Sequence, residues 1–281
     1  MSPEAARREA IAYYSECWVG RFRSGHNERS HAIHYGMYEN GEGDFERAKL
    51  LTNDHVAQRL GLDASLPARV VDIGCGVGGT AIHLARRHPS WTFHGVDLTA
   101  ASLELARELA RDAGVDERIE LVNANFEEIE LPLRFDGAYS IEATCHAVDR
   151  ARLIVRVHGL LRPGARFVVA DLFRTRLPLD PAAAHTYDAV KHGFAITDYY
   201  DRDLGGLLAD AGFGSVEERD LTAQMRPGTS RSAAKARHAL AGPSLTPRLR
   251  AHFAACIGVD ELCASGHLAY RSVSAVRGAE T

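Results

Sequence analysis

Cysteine is scarce in this 281-residue chain, and its five copies (Cys17, Cys75, Cys145, Cys256 and Cys263) are odd in number, scattered and never spaced C-x-x-C. That excludes a disulfide framework and the common zinc motifs, and it leads us to expect reduced thiols in a cytoplasm. Long apolar runs are also missing. No stretch approaches the roughly 18 residues that a membrane helix needs. The first twenty residues, "MSPEAARREAIAYYSECWVG", carry charges inside every apolar window and do not read as a signal peptide. There is no excess of positive charge either. Against 33 Lys and Arg stand 37 Asp and Glu, a net charge of -4, so neither nucleic acid nor an anionic membrane is the expected partner. Internal repeats and low-complexity tracts are absent.

What is present is ordinary globular composition, with 46% hydrophobic and 25% charged residues and length enough for a substantial core. Residues 3–19 read as a helix with Ile11, Tyr14, Cys17 and Trp18 near one face. A polar stretch with Gly36, Gly41 and Gly43 separates it from a second helix near 44–60. After Pro67, short β-branched strands alternate with helices. "ARVVDIG", "TFHGVD", "IELVNAN", "FDGAYSIEA" and "RFVVADLF" are strands, and the helix "ARLIVRVHGLLRPG" precedes the last of them. A helix near 201–213 and strands at 214–221 and 267–276 complete the sequence. This rhythm predicts an α/β fold built on a parallel sheet covered on both faces. Residues 174–200 and 222–266 break the rhythm as insertions. The expected organisation is a helical lid segment at 1–64 and a main domain at 65–281 carrying those two lid insertions.

"VVDIGCGVGG" places Gly74, Gly76 and Gly79 in G-x-G-x-x-G spacing between a strand and a helix. Glycines there let the backbone turn tightly and approach a ligand closely. The spacing alone suits a dinucleotide equally well, but a second mononucleotide-binding half is missing. Asp72 stands where a carboxylate can face a ligand amine. Asp97 ends the second strand and can accept ribose hydroxyls, with Leu98 beside it. Asn125 and Phe126, past the third strand, offer an amide and an aromatic face to an adenine. An amine, a ribose and an adenine without phosphates describe S-adenosylmethionine.

With Asp72-x-Gly74-x-Gly76-x-Gly78, Asp97 and Asn125 in place, residues 65–220 resemble class I S-adenosylmethionine-dependent methyltransferases. The resemblance implies a Rossmann-like, seven-stranded, mostly parallel sheet with an antiparallel last hairpin, and S-adenosylmethionine as cofactor. "YSIEATCHA" resembles the end of the fourth strand in the C-methyltransferases that act on sterol side chains. "HYGMYENGEGDFERA" and "LTAQMRPG" resemble rebeccamycin-type sugar O-methyltransferases. Both resemblances imply a small-molecule acceptor from specialised metabolism, but they disagree about the atom methylated.

For an O-methyltransferase, His146 is the candidate base, and the resemblance implies that it works beside an aspartate, here Asp171. For C-methylation of an alkene or electron-rich carbon, which we favour for a prenyl, terpenoid or similar acceptor, Glu142 would stabilise positive charge or remove the proton. The aromatic faces of Tyr13, Tyr14, Tyr35, Tyr38 or Tyr187 would hold the acceptor. Each candidate also has a plainer role: Glu142 as a hydrogen-bond acceptor, His146 as a core histidine, Asp171 as a strand-end turn residue. Cys145 packs as a small apolar residue, and no metal site is expected because Glu142 and His146 lack further ligands at a recognised spacing. Arg231, Lys235 and His238 share a helical face that suits a phosphate or diphosphate, or simply faces solvent. A non-catalytic cofactor-binding protein and a nucleic-acid methyltransferase are the rival classes. A homodimer is left open.

Overall fold

The computed structural model describes residues 2–25, 27–39, 43–201, 204–242 and 245–279. Gly41 and the expected start of the helix at 202–203 lie outside the described residues. Seven strands form one sheet: β1 (Ala68–Ile73), β2 (Trp91–Asp97), β3 (Ile119–Asn123), β4 (Phe135–Ile141), β5 (Leu161–Arg174), β6 (Phe213–Asp220) and β7 (Leu268–Arg277), in the order β3-β2-β1-β4-β5-β7-β6. The first five run parallel, and β7 lies antiparallel to both β5 and β6. This is the architecture the resemblance implied. Val70, Val71 and Ile73 of β1 are all fully buried because helices cover both faces of the sheet, which is why that strand is a continuous apolar run. The order reverses between β1 and β4, and the crevice at their carboxyl ends is where an open α/β sheet accommodates a ligand.

The helices on the sheet are α3 (Phe45–Leu60), α4 (Gly79–Arg87), α5 (Ala100–Asp112), α6 (Arg150–Leu160) and α8 (Leu204–Asp210). Local chemistry starts and stops them. The Asp44 carboxylate caps α3 by accepting from the Glu46 amide at 2.9 Å, and Asp149 caps α6 by accepting from the Arg152 amide at 2.9 Å. Helix α6 is shorter than the sequence pattern predicts. Leu161 leaves the helix to pair with Phe135, because Pro163 has no amide proton and Gly164 turns with φ 83°.

The remaining helices lie beyond the carboxyl ends of the strands. Helix α1 (Pro3–Tyr14) continues through a π-helical turn (Ser15–Val19) into α2 (Gly20–Arg23). Tyr13 and Cys17, four residues apart on one face, are both buried. The two insertions carry α7 (Pro181–Phe194), α9 (Thr222–Leu240) and α10 (Pro247–Ala264). A Cβ on Gly193 would meet the Ala251 carbonyl oxygen at 2.3 Å, and one on Gly258 would meet Val190 at 2.8 Å, so α7 and α10 pack backbone against backbone. Helix α3 falls within the expected 1–64 segment. Arg59 near its end donates to Glu217 at 2.8 Å and to Ser274 at 2.7 Å, tying it to β6 and β7. Its first turns, with Phe45 and Lys49, reach the cavity. Among the described residues no helix is long and apolar enough to cross a membrane.

Candidate functional site

A cavity of about 250 Å3 opens at the carboxyl ends of β1, β2, β4 and β5, under α1, α7, α9 and α10. The glycine loop forms one wall. Gly74 and Gly76 have φ of 79° and 54°, and the amides of Gly74 and Cys75 both donate to the Val96 carbonyl, at 2.8 and 3.0 Å. A Cβ on Gly74 would strike Ala143 at 2.3 Å, whereas the space beside Gly76 is open. Gly78 does not line the cavity. It starts α4 with φ 75° and faces Ala106 of α5, so its part is to shape the turn. Asp97 ties this loop to β2, its two carboxylate oxygens accepting from the amides of Gly76 (2.9 Å) and Thr99 (2.8 Å).

Asp72, Asp97, Leu98, Asn125 and Phe126 all line the same cavity, as their sequence positions implied. Asp72 is almost wholly buried. Burial raises its pKa to about 7, against the pull of the Tyr139 hydroxyl, which donates to it at 2.8 Å. Asn125 accepts from the Glu127 amide at 3.0 Å through its oxygen, while its Nδ2 is buried without a partner.

The three candidate catalytic residues line the same cavity. Glu142 sits just past β4 in the left-handed region, φ 49°, a conformation that costs a side-chain-bearing residue about 1–3 kcal/mol and persists only where surroundings impose it. Its own amide donates to Ala170 at 2.9 Å, and its Oε1 accepts from the Tyr35 amide at 2.8 Å. Burial, then the neighbouring Asp171 carboxylate, raise its pKa to about 8. Asp171, 1% exposed, accepts from the Leu172 amide at 2.8 Å and from the Thr144 hydroxyl at 3.3 Å, and burial raises it to about 7. Two carboxylates, on adjacent strand ends, thus face one apolar cavity.

His146 is not paired with Asp171. Its Nδ1 lies 3.1 Å from the Ala195 carbonyl and therefore carries the proton, which leaves Nε2 to accept from the Tyr14 hydroxyl at 2.9 Å. Burial lowers its pKa to about 4, so the ring is neutral. The expected histidine–aspartate pair is not formed, because the short 3-10 turn Thr144–His146 directs Thr144 at Asp171 and His146 at α1.

Of the five tyrosines expected to hold the acceptor, Tyr13, Tyr14 and Tyr35 line the cavity and the other two do not. Tyr38 packs on α9, its amide donating to Gln224 at 2.9 Å. Tyr187 stands behind Tyr199. It accepts from the Tyr199 amide at 2.8 Å and donates to Asp198, and Tyr199 is the ring that reaches the cavity. Cys145 is buried and its thiol pKa is pushed up by burial, in keeping with a packing role. Sequence patterning missed Glu127 and Arg7. The Glu127 carboxylate accepts from the Asp149 amide at 2.7 Å and pairs with Arg7 of α1 at 2.9 Å, which fastens that helix to the rest of the fold. It also missed Arg21, Lys49 and His252, all at the cavity. No spacing marks such residues, because they come together only through packing.

Residues 70–164 match the family described as "Methyltransferase domain". An O-methyltransferase of Pyrenophora dematioidea is 30% identical over 203 residues, covering 69% of this chain and 73% of that one. The chain belongs to the class I S-adenosylmethionine-dependent methyltransferases. S-adenosylmethionine is its cofactor. The methyltransferase phqN of Penicillium fellutanum is 35% identical over 128 residues, 45% of this chain and 38% of that protein. The 24-methylenesterol C-methyltransferase 2 of Oryza sativa subsp. japonica is 33% identical over 169 residues, 57% of this chain and 45% of that protein. The matched part is therefore less than half of the length of these two relatives. Among solved structures, the (4+2) cyclase SpnF superposes with a TM-score of 0.81 at 21% identity, covering 98% of this chain and 97% of that one. Geranyl diphosphate methyltransferase superposes with a TM-score of 0.77 at 19% identity, covering 97% and 99%. These likenesses describe the fold.

Proposed function

We propose that this methyltransferase C-methylates an unsaturated, largely apolar small molecule, with Glu142 as the residue that handles charge and proton. The observation that carries this reading is the enclosed Glu142 carboxyl, held in a strained backbone conformation and aimed by the Tyr35 amide into an aromatic cavity. An alkene that gains a methyl becomes a cation, and that cation must lose a proton to restore the double bond. A carboxylate at the cavity wall answers both needs, and the faces of Tyr14, Tyr35 and Tyr199 favour the same charge. The names of the sterol C-methyltransferase relative and of the geranyl diphosphate methyltransferase neighbour agree with such an acceptor.

The residues present fit the cofactor. Asp72 would take its amine, Asp97 its ribose hydroxyls, and Asn125 with Phe126 its adenine, the orphaned Asn125 Nδ2 gaining an acceptor. Gly74 turns the loop and Gly76 leaves room for close approach, with Leu98 lining the same cavity. When bound, S-adenosylmethionine supplies the methyl group. The protein's own residues orient the acceptor, exclude water and hold the proton.

O-methylation with His146 and Asp171 is the second reading, favoured by the neutral His146 ring at the cavity and by the O-methyltransferase relative. In that case Tyr14 would yield His146 Nε2 to the acceptor hydroxyl. The deciding experiment identifies a turned-over acceptor by mass-spectrometric screening, using a donor with a carbon-13 methyl. Nuclear magnetic resonance of the product then shows whether the label sits on carbon or oxygen. Turnover of Glu142→Gln is compared with that of His146→Ala and Asp171→Ala. Full activity in Glu142→Gln with collapse of the other two would establish oxygen chemistry instead.

A further inference from the structure

Three cations line the cavity. Lys49 of α3 is 2% exposed, yet among the described residues its ammonium donates only to the Ala32 carbonyl, at 2.6 Å, and lies 4.4 Å from the centre of the Phe45 ring. Lys235 of α9, at the rim, lies 4.6 Å from the same ring. Arg21 of α2 is held over Trp18 at 4.8 Å and near Phe253 at 5.7 Å. All three line the cavity. Among the described residues none of them has a carboxylate within ion-pair distance, although many arginines elsewhere have close acidic partners. Burial lowers the Lys49 pKa to about 7, Glu142 and Glu46 oppose that fall, and Lys235 and Arg21 add a smaller push in the same direction as burial.

Like charges gathered around aromatic rings are unfavourable unless an anion joins them. A lysine ammonium has three donors, and among the described residues Lys49 uses one. Glu142 and Asp171 line the same cavity, Glu142 near enough to act on Lys49. We propose that the Lys49–Lys235–Arg21 corner seats an anionic head group, a carboxylate or a phosphate, carried by the acceptor. The apolar body of that acceptor then extends past Tyr35 and Tyr199 toward Glu142. This rests on the reading that the acceptor fills this cavity, and it adds the substrate class: an amphiphile with an anionic end and an unsaturated apolar end. The cation–aromatic pairs hold the three side chains in place, so little rearrangement is needed on binding.

The test is calorimetric and needs no turnover, so its outcome is separate from the question of carbon or oxygen chemistry. The S-adenosylhomocysteine complex of the full-length protein is titrated with n-octanol, n-octanoate and n-octyl phosphate, three probes with one apolar tail. At least one anion is expected to bind one to one, about tenfold or more tighter than the alcohol, with a margin that shrinks as salt is added. The better anion distinguishes carboxylate from phosphate. Lys49→Met and Lys235→Glu are each expected to bring the anion-to-alcohol ratio close to one. Lys235 is exposed, so its variant remains informative even if Lys49→Met fails to fold. Equal binding of all three probes, no binding of either anion, or an unchanged ratio in Lys235→Glu overturns the proposal. So does a variant that weakens S-adenosylhomocysteine binding alone, because the lysines would then serve the cofactor's own carboxylate.

Discussion

Asp72 and Glu142 are both acidic side chains that the fold keeps protonated near neutral pH, and each should reveal its task through that proton. Asp72 has a pKa raised to about 7 by burial. A ligand amine favours the ionised form, so binding must release the proton. Cofactor affinity is expected to fall about tenfold per pH unit below about 7 and to level off above it. Asp72→Asn should bind at least about tenfold more weakly and lose that slope, which calorimetry in two buffers of different ionisation heat can measure. Glu142, raised to about 8, must be ionised to take a proton. The kcat/KM for the acceptor should therefore rise with pH up to about 8. Glu142→Gln should remove that limb and lower kcat by about 10^2 to 10^4. A pH profile unchanged in the variant would assign the titration to Asp171, whose pKa lies near 7.

At the scale of elements, glycines decide how the lid meets the sheet. A Cβ on Gly79, in the first turn of α4, would lie 2.4 Å from the His31 carbonyl oxygen and 2.6 Å from that of Ser30. Gly79→Ala should destabilise the protein by about 1–3 kcal/mol, read from urea unfolding, and should weaken cofactor binding by displacing the 30–33 segment. Helices α7 and α10 share the Gly193 and Gly258 contacts and so move together. Helix α1 is fastened differently, by the partly exposed pairs Arg7–Glu127 at 2.9 Å and Arg248–Glu9 at 2.6 Å. Hydrogen exchange in α1 of the ligand-free protein should speed up with added salt, while exchange in α7 and α10 should change little. Bound cofactor should slow exchange in α1, and equal protection with and without it would argue against a lid.

Over the whole molecule, buried ionisable groups set a stability profile. The raised pKa values of Asp72, Glu142 and Asp171 mean that their stability contribution is complete at low pH and is lost as pH rises through about 7 and 8. His34, His55 and His146, each lowered to about 4 mainly by burial, act the other way and withdraw stability as pH falls below the usual histidine range. From the histidine range up to about pH 7 the carboxylates act alone, and above it Lys49, lowered to about 7 by burial, returns stability as pH rises. The ligand-free protein should lose on the order of 2 kcal/mol in all up to about pH 8, seen as a falling Tm, and Asp72→Asn should lose less.

The strand and helix periods, the glycine loop and the acidic strand ends were legible in the sequence because each depends on neighbours a few residues away. They were enough to establish the sheet, the cofactor and the positions of Asp72, Asp97, Glu142 and Asp171. Tertiary structure alone decided that His146 turns to Tyr14 instead of Asp171, that Tyr199 replaces Tyr187 at the cavity, and that α3 belongs to the sheet layer. It also brought Arg21, Lys49 and Lys235, distant in sequence, to one cavity. The partner of a side chain depends on which helices pack across the strand ends, and that packing is long-range.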